Sequence, residues 1–228
     1  MQFTDFEKKI GYPFKDTSFL EAAFTHRSYL NENRSLGKEH NERLEFLGDA
    51  VLELAVTEFL FAKYPKEPEG ILTSYRAALV NTVSISEAAT KLGMNDFMLL
   101  SRGEARDTGR ARAVILANAF EAVIGALYLD GGYEPAKKFI EEQLFYKVEE
   151  VVAKKLWQDP KSRFQEMAQE KHGATPAYEL VSQTGPDHDK RFVSAVSING
   201  TRVAQGEGRS KQEAEVSAAE RGLQVKGW

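Results

Sequence analysis

Residues 40–54, HNERLEFLGDAVLEL, constrain the fold of this chain more than any other segment. Their apolar side chains recur every three or four residues and share one face of an α-helix: Leu44, Leu47, Val51 and Leu54. The segment therefore predicts an amphipathic helix with that face turned toward a core.

The other side of this predicted helix has three acids within two turns, Glu42, Glu45 and Asp49. Like charges at this spacing repel each other by roughly 0.2–0.5 kcal/mol per exposed pair, and by more when they are partly buried. A solvated acidic face is the ordinary interpretation, and a cation-binding site is the alternative. Gly48 favours the alternative: a glycine inside a helix costs about 1 kcal/mol relative to alanine, which is explained if another backbone or an ion comes close.

A second apolar segment, residues 113–130, contains a single glutamate, Glu121, in AVILANAFEAVIGALYLD. Helical spacing predicts a core face that consists of Leu116, Phe120, Val123 and Leu127. Asn118, Glu121 and Gly125 share the opposite side. A salt bridge near a helix end or a satisfied buried acid would also explain the glutamate.

If the two helices pack together, Glu121 and Asn118 meet Glu45 and Asp49. The result would be a cluster of side-chain oxygens. Oxygen ligands, few in number and supplemented by water, favour Mg²⁺ over softer metals. The two segments together therefore predict a magnesium site.

The first 157 residues predict helices only. Apolar residues at three-to-four spacing mark six of them, at residues 3–10, 18–26, 39–64, 71–92, 112–129 and 134–157. Prolines and glycines lie between them, and we find neither strand-like alternation nor an internal repeat. We predict an all-α N-terminal domain over residues 1–157.

The pattern changes after residue 157. Asp159 followed by Pro160 is typical of a helix N-cap and first helical position. Residues 177–183 and 191–198 are rich in valine, tyrosine and phenylalanine, which predicts two strands.

A third strand and a last helix complete this region. Asn199 and Gly200 predict a type I′ hairpin turn, and Ser210 with Glu213 forms a capping box at the start of a helix. The order α-β-β-β-α predicts a small α+β domain over residues 158–228, joined to the first domain by a short linker.

Composition excludes several classes of protein. The chain has no cysteine, so it has no disulfide or thiolate metal site, which fits a cytoplasmic location. The N-terminal segment lacks the apolar region of a secretory signal, and the most apolar run, residues 119–129, is predicted to be too short to span a bilayer.

The net charge of −4 lies entirely in the first 158 residues, so a polyanion would be held by local patches or metal ions.

The segments NERLEFLGDAVLEL and ILANAFEAVIGALYLD together resemble the signature helices of ribonuclease III, the endonuclease that cuts double-stranded RNA. The α-β-β-β-α tail, with its GxGxSK segment at residues 206–211, resembles the double-stranded RNA-binding domain of bacterial members. The likeness covers nearly the whole chain. It implies a homodimeric, Mg²⁺-dependent endoribonuclease of RNA precursors, with Mn²⁺ as a substitute metal and with no small-molecule cofactor and no membrane partner.

The resemblance also implies roles for single residues. Asp49 and Glu121 match catalytic carboxylates, and together with Glu45 and Asn118 they match the metal ligands. Asn118 stands where the family usually has aspartate. An amide can bind a metal through its carbonyl oxygen, but it has no charge and cannot bridge two ions. Either the site is weaker but sufficient, or the protein binds duplex RNA without cutting it; Asn118→Asp is predicted to tighten the Mg²⁺ requirement for cleavage.

Proteins read A-form RNA through its shape, its 2′-hydroxyls and its phosphates. The residues predicted to make these contacts are Gln165, Glu166, His188, Arg209, Ser210 and Lys211. The last three lie at a predicted helix start, where the helix dipole favours phosphate. Gln212 replaces a second basic residue that is common in the family, which weakens this contact.

Three further features allow more than one interpretation. Phe46 lies outside the apolar face and is predicted to be a dimer contact. The arginine-rich residues 101–112 fit an RNA contact and a plain mobile loop equally well, and His26, Arg27 and His40 are interpreted as scaffold. A purely structural helical protein would not explain the tail.

Overall fold

The computed structural model describes residues 3–33, 37–106, 108–186 and 190–228. The chain forms two compact units, residues 1–157 and 158–228. Within the described residues the first unit consists of helices, with an isolated parallel bridge between Thr25 and Leu99. The prediction of an all-α first domain is confirmed.

The α-helices of the first unit are α1 (Thr4–Ile10), α2 (Thr17–Phe24), α3 (Arg27–Glu32), α4 (Glu42–Lys63), α5 (Glu69–Leu79), α6 (Thr82–Lys91), α7 (Arg110–Gly131), α8 (Tyr133–Leu144) and α9 (Val148–Ala153). Short 3₁₀ turns lie at Met94–Phe97, Glu104–Arg106 and Phe145–Lys147.

Two long predicted helices are wrong in extent. The helix predicted over residues 71–92 is divided into α5 and α6 at Asn81, whose side chain accepts a hydrogen bond from the Ser84 N–H at 2.9 Å and caps α6. The helix predicted over 134–157 is divided by the 3₁₀ turn between α8 and α9. In both places the apolar spacing in the sequence continues although one helix ends and the next begins.

The region around α3 also differs from the prediction. The helix predicted over residues 18–26 ends at Phe24, because Thr25 has an extended backbone. The structure adds α3, which has six residues and none that is buried. A helix without a buried face has no apolar pattern by which it can be predicted.

Helix α7 is the central helix of the first unit. Between residues 115 and 127 every side chain is buried except Asn118 and Glu121, which are half-buried, so the single predicted core face was too narrow. The helix has 22 residues and extends beyond the run at residues 119–129, so by length and composition alone it is long and apolar enough to span a membrane. However, 61% of its most apolar window is buried inside the protein, which is typical of a core helix.

Helix α4 packs its buried side against α7 and leaves an apolar stripe exposed. Its buried residues are Leu44, Gly48, Val51, Leu52, Ala55, Val56 and Leu60. Leu54, predicted to be core, is 53% exposed. Phe46 and Phe61 are 83% and 73% exposed. The outer face of α4 is therefore unusually apolar for a surface that contacts water.

The second unit has the predicted α+β architecture. Its elements are α10 (Pro160–His172), β1 (Ala177–Thr184), β2 (Arg191–Ile198), β3 (Thr201–Gly208) and α11 (Lys211–Lys226). The strands form one antiparallel sheet in the order β1-β2-β3. The predicted α-β-β-β-α order is confirmed.

The local signals in this unit are also confirmed. Asp159 accepts a hydrogen bond from the Ser162 N–H at 2.9 Å and caps α10. Asn199 and Gly200 have φ angles of 49° and 75°, as a type I′ turn requires. Ser210 caps α11 by accepting from the Glu213 N–H.

Each unit has its own core and its own tryptophan. Trp157 packs edge-on against Tyr75 in the first unit, with ring centroids 5.3 Å apart. Trp228 packs against Phe164, the largest buried side chain of the second core, with centroids 5.3 Å apart.

Candidate active site and RNA-binding surface

Helices α4 and α7 cross with their backbones in direct contact. A Cβ atom built on Gly48 would lie 1.8 Å from the carbonyl oxygen of Glu121, and one built on Gly125 would lie 2.3 Å from the carbonyl oxygen of Leu44. Any side chain at either position would push the helices apart. The prediction that Gly48 allows a close neighbour is confirmed, and the neighbour is the α7 backbone.

This crossing brings the predicted metal ligands together. Glu45 and Asp49 are one helical turn apart on α4, on either side of Gly48, and their charges both act on Glu121 of α7. Asn118, one turn before Glu121, is near enough to Glu45 to lower the pKa of that carboxyl group. Side chains separated by about 70 residues in sequence therefore share one site, in which Glu45, Asn118 and Glu121 are half-buried and Asp49 is exposed.

The pKa values show how unfavourable this concentration of negative charge is. Burial is the main cause that raises the pKa of Glu121 to about 7, and the charges of Asp49 and Glu45 add to it. The pKa of Glu45 is also raised, first by burial and then by Glu42, and the hydrogen bond from Asn118 partly offsets the shift. A cation placed among these groups would be strongly attracted.

The donor chemistry fits a hard divalent cation. Carboxylate oxygens and an amide carbonyl, supplemented by water, are the ligands that Mg²⁺ accepts. Among the residues that the structure describes, no three acidic, histidine or cysteine side chains converge tightly enough to form a metal cage. The four side chains share a site without closing around one point, as expected for carboxylates that repel each other.

Glu42, the third acid of the predicted face, is more exposed and is paired. Its carboxylate lies 3.3 Å from Nη1 of Arg27 and 3.9 Å from Nδ1 of His40. The Nδ1 atom of His26 lies 2.8 Å from the Ser28 hydroxyl, next to the start of α3. These contacts agree with the interpretation of His26, Arg27 and His40 as scaffold.

Phe46 lies beside a cleft of about 870 Å³ that both apolar and charged side chains line. The apolar side chains that line the cleft with Phe46 come from α2, α4 and the end of α7: Phe19, Ala22, Leu44, Leu47 and Leu129. The charged ones are Glu21, Lys38, Glu39, Glu42 and Arg43. An exposed aromatic ring next to such a cleft forms a surface that can pair with a copy of itself.

The arginine-rich segment is partly ordered by backbone contacts. The N–H of Ser101 donates to the Ser28 hydroxyl at 3.1 Å, and the N–H of Arg102 donates to the Glu32 carboxylate. Nη2 of Arg112 donates to the carbonyl oxygen of Glu104 at 2.7 Å. In the residues described, which omit 107, the segment is attached to α3.

In the second unit, α10 presents a polar outer face. Gln165 and Glu166, both predicted to contact RNA, are exposed and line a shallow cleft of about 630 Å³. The cleft is completed by Ser162, Gln169 and Glu170, which the sequence reasoning missed. Spacings of three and four residues from Gln165 and Glu166 could have identified them. His188 lies outside the described residues.

The start of α11 presents the other predicted RNA contacts. Arg209 and Lys211 are exposed, and the hydroxyl of Ser210 is engaged as the helix cap. A Cβ atom on Gly206 would lie 2.0 Å from the backbone nitrogen of Ala218, so this glycine allows β3 to lie directly on α11. Gly206 therefore serves the packing of β3 against α11, and the side chains of Arg209 and Lys211 remain at the surface.

The two units define a class of protein: an acid-containing helical domain followed by a small α-β-β-β-α domain. Comparison with known families agrees with this division. Residues 16–148 match a model described as ribonuclease-III-like, and residues 160–226 match the double-stranded RNA binding motif. The chain belongs to the ribonuclease III family of endoribonucleases, and the predicted resemblance is confirmed.

Individual relatives extend over nearly the whole chain. Ribonuclease 3 of Bdellovibrio bacteriovorus is 44% identical over 221 residues, which is 96% of this chain and 94% of the relative. Ribonuclease 3 of Enterococcus faecalis is 45% identical over 96% of this chain and 95% of its own. A nuclease domain of ribonuclease III from Campylobacter jejuni, described for flexibility in a region involved in dimer formation, is 42% identical, with a TM-score of 0.56, and covers 62% of this chain and 98% of its own.

Proposed function

We propose that this protein is a Mg²⁺-dependent endoribonuclease of double-stranded RNA that leaves 5′-phosphate and 3′-hydroxyl ends with short 3′ overhangs. The observation that supports this most directly is the α4–α7 crossing, where a backbone contact at Gly48 holds the half-buried Glu45 and Glu121 near the exposed Asp49. We further propose that its substrates are ribosomal and messenger RNA precursors in the cytoplasm.

The chemistry follows from the charge of the substrate. A phosphodiester is an anion that repels hydroxide, so the site must cancel charge and position water. Glu45, Asp49, Glu121 and the carbonyl oxygen of Asn118 would hold the divalent cation, with Mn²⁺ as a substitute for Mg²⁺. When bound, the cation lowers the pKa of a coordinated water and stabilises negative charge on the phosphate. The protein's own contribution is the fixed separation of α4 from α7, which sets where these oxygens lie.

We propose that the active form is a homodimer in which each copy cuts one strand. The exposed apolar stripe of α4 and the cleft beside Phe46 support this, because an isolated chain would leave both in water. Phe46 of one copy would insert into the cleft of the other.

Phe46→Glu tests this assignment. The variant should sediment as a monomer at concentrations where the unaltered protein is a dimer, because the carboxylate loses the apolar contacts of the ring and must be desolvated on insertion. Val83→Glu is the matched control, since Val83 is a similarly exposed apolar residue, 66% exposed, on α6. A dimeric Phe46→Glu variant would show that this contact is not the interface.

A second candidate function is duplex-RNA binding without cleavage. Asn118 favours it, because this residue supplies an amide and no fourth negative charge to the site. Incubation with a long RNA duplex and Mg²⁺ separates the two functions. Short fragments with 5′-phosphates support the nuclease, provided that Glu121→Gln binds the duplex and leaves it intact. Binding by the unaltered protein without fragments, in Mg²⁺ and also in Mn²⁺, supports the second function.

A further inference from the structure

Helix α3 is an exposed element that depends on hydrogen bonds at its start. It has six residues, none of which is buried, so packing against a core does not explain its formation. His26 is its N-cap: the ring Nδ1 atom accepts from the Ser28 N–H at 3.4 Å and lies 2.8 Å from the Ser28 hydroxyl oxygen. Only an Nδ1 atom without a proton can accept, so this ring carries its proton on Nε2 and is uncharged.

The same serine attaches α3 to the arginine-rich segment. The Ser28 hydroxyl oxygen accepts from the Ser101 N–H at 3.1 Å, and Glu32, one turn later, accepts from the Arg102 N–H at 3.2 Å. The Ser101 hydroxyl in turn accepts from the Glu104 N–H at 3.2 Å. Two adjacent N–H groups of the segment therefore have their partners on α3, and both partners are lost if α3 unfolds.

A backbone connection sets the place of this attachment. The His26 N–H donates to the Leu99 carbonyl oxygen at 3.0 Å, and the Leu99 N–H donates to the Phe24 carbonyl oxygen at 2.9 Å. These bonds accompany the parallel bridge between residues 25 and 99. His26 thus contacts the segment that leads to Ser101 through its backbone, and α3 through its ring.

The surroundings of the His26 ring keep it uncharged near neutral pH. Burial is the main cause that lowers the pKa of this ring, and Arg27 and His40 act in the same direction. The carboxylates of Glu104 and Glu42 oppose the shift, and the net direction is still downward. A positive charge on the ring would also lie at the N-terminus of α3, where the helix dipole disfavours cations.

We propose that His26 and Ser28 are positioning residues that hold residues 101–106 in place, and that protonation of the His26 ring releases this segment. A proton on Nδ1 would point toward the Ser28 N–H, remove the cap of α3 and, with it, both attachments. The ordered segment keeps Arg102 and Arg106, both exposed, at fixed positions, which lowers the entropy cost of contact with a polyanion. The relay itself does not depend on the proposed function; only its bearing on RNA cleavage does.

Site-resolved hydrogen exchange of the full chain tests the relay without reference to cleavage. The measured quantity is the protection factor of the Ser101 and Arg102 N–H groups, corrected at each pH for the exchange rate of an unstructured chain. In the released form the His26 ring returns to its ordinary pKa of about 6.5, so that form binds a proton more readily than the ordered form. Protection should therefore be full above about pH 7 and fall as the pH is lowered through about 6.5.

Three variants separate the relay from general effects of pH. His26→Ala lacks the cap and should reduce protection about fivefold at neutral pH, the size that is typical for the loss of a helix cap. His26→Asn supplies an uncharged acceptor at every pH, so it should restore protection at neutral pH and remove the fall at lower pH. His40→Asn is the matched control, because it removes the neighbouring histidine and leaves the cap intact. It should show the same fall as the unaltered protein.

Two results would overturn the inference: protection that does not change with pH in the unaltered protein, and equal protection in His26→Ala and the unaltered protein at neutral pH. A fall that persists in His26→Asn would also overturn it, because another group would then be the one that titrates.

Cleavage of a long RNA duplex in Mg²⁺ at neutral pH measures the bearing on the proposed function. His26→Ala should cut more slowly than the unaltered protein, and His26→Asn should restore the rate. Equal rates in all three would show that the order of residues 101–106 has no bearing on cleavage. If the unaltered protein itself does not cut, the proposed function fails, and the exchange measurements still decide whether the relay exists.

Discussion

At the α4–α7 crossing, the half-buried Glu45 and Glu121 are held close together by two helices far apart in sequence. In the second unit, the predicted RNA contacts that the structure describes are exposed side chains on one helix face and at one helix start. In the first arrangement, the packing of α4 against α7 determines where the mutually repelling carboxylates lie. The second distributes polar groups over a surface where each is hydrated and nearly independent of the others.

This difference predicts how each region responds to change. Side chains that are crowded at a helix crossing depend on one another, so single substitutions there should have large and coupled effects. Exposed contacts with phosphate act one by one, so each substitution should have a small and separate effect. The three predictions below, from the largest effect to the smallest, test that contrast.

Gly48→Ala should have the largest effect. The added methyl group would overlap the Glu121 carbonyl oxygen, so the helices must separate, at an expected cost of about 3 kcal/mol in the free energy of unfolding of the first unit. Cleavage should be lost with it. Urea unfolding measures the cost.

Gly70→Ala is the control for the first prediction, because Gly70 lies in α5 with nothing within 4 Å of an added Cβ atom. This variant should be as stable as the unaltered protein, or more stable by roughly 0.4–1 kcal/mol. Equal stability of both variants would show that the helix crossing is less tight than the contact at Gly48 implies.

The pH dependence of stability should show an intermediate effect. In EDTA the pKa of Glu121 is about 7 in the folded chain and about 4.5 when unfolded, so the folded chain binds more protons between these values. Stability must therefore fall as the pH rises from 4.5 to 7, by about 2–3 kcal/mol from this group alone.

Glu121→Gln removes the titrating group and should flatten that part of the stability curve. Saturating Mg²⁺ should also reduce the fall for the unaltered protein, because the cation favours the ionised carboxylate. Chemical denaturation at a series of pH values measures both. A slope that persists in Glu121→Gln would assign the pH dependence to other groups.

Lys211→Ala should have the smallest effect. Removal of one phosphate contact should weaken duplex-RNA binding alike for all sequences and reduce the slope of log K against log salt by about one. Lys171→Ala, at the exposed far end of α10, should leave the slope unchanged. Binding titrations at several salt concentrations provide the slope, and an unchanged slope for Lys211→Ala would remove this residue from the phosphate contacts.

The same contrast explains what could be predicted from sequence. In the second unit the signals are local: Asp159 with Pro160, Asn199 with Gly200, and Ser210 with Glu213 each define a cap or turn within four residues. All three are confirmed by the structure. The strand bounds follow from them.

In the first unit, apolar spacing predicted where helices lie but not where they end or which way they face. Leu54 has the spacing of a core residue and is exposed, because α4 turns that side outward. Helix α7 is surrounded by other elements, so its spacing could not identify a single buried face. The break at Asn81 had a signal, an N-cap side chain, that continuous periodicity obscured.

The residues of the acidic site could be predicted from the sequence, but the contacts that bring them together could not. Gly48 indicated a close neighbour, and residue types alone could not decide between a backbone and an ion. The contact with the Glu121 carbonyl oxygen depends on long-range packing, which no local pattern encodes. The effect of Asn118 on the pKa of Glu45 is likewise a product of that packing.

The separate packing of the two tryptophans has a practical consequence for spectroscopy. Because Trp157 lies against Tyr75 and Trp228 against Phe164, each indole reports on a different hydrophobic core. Replacing either one with phenylalanine would leave a single tryptophan, which can be excited selectively in the presence of the eight tyrosines. The emission of the intact chain could then follow the melting of one half while the other half remains optically silent.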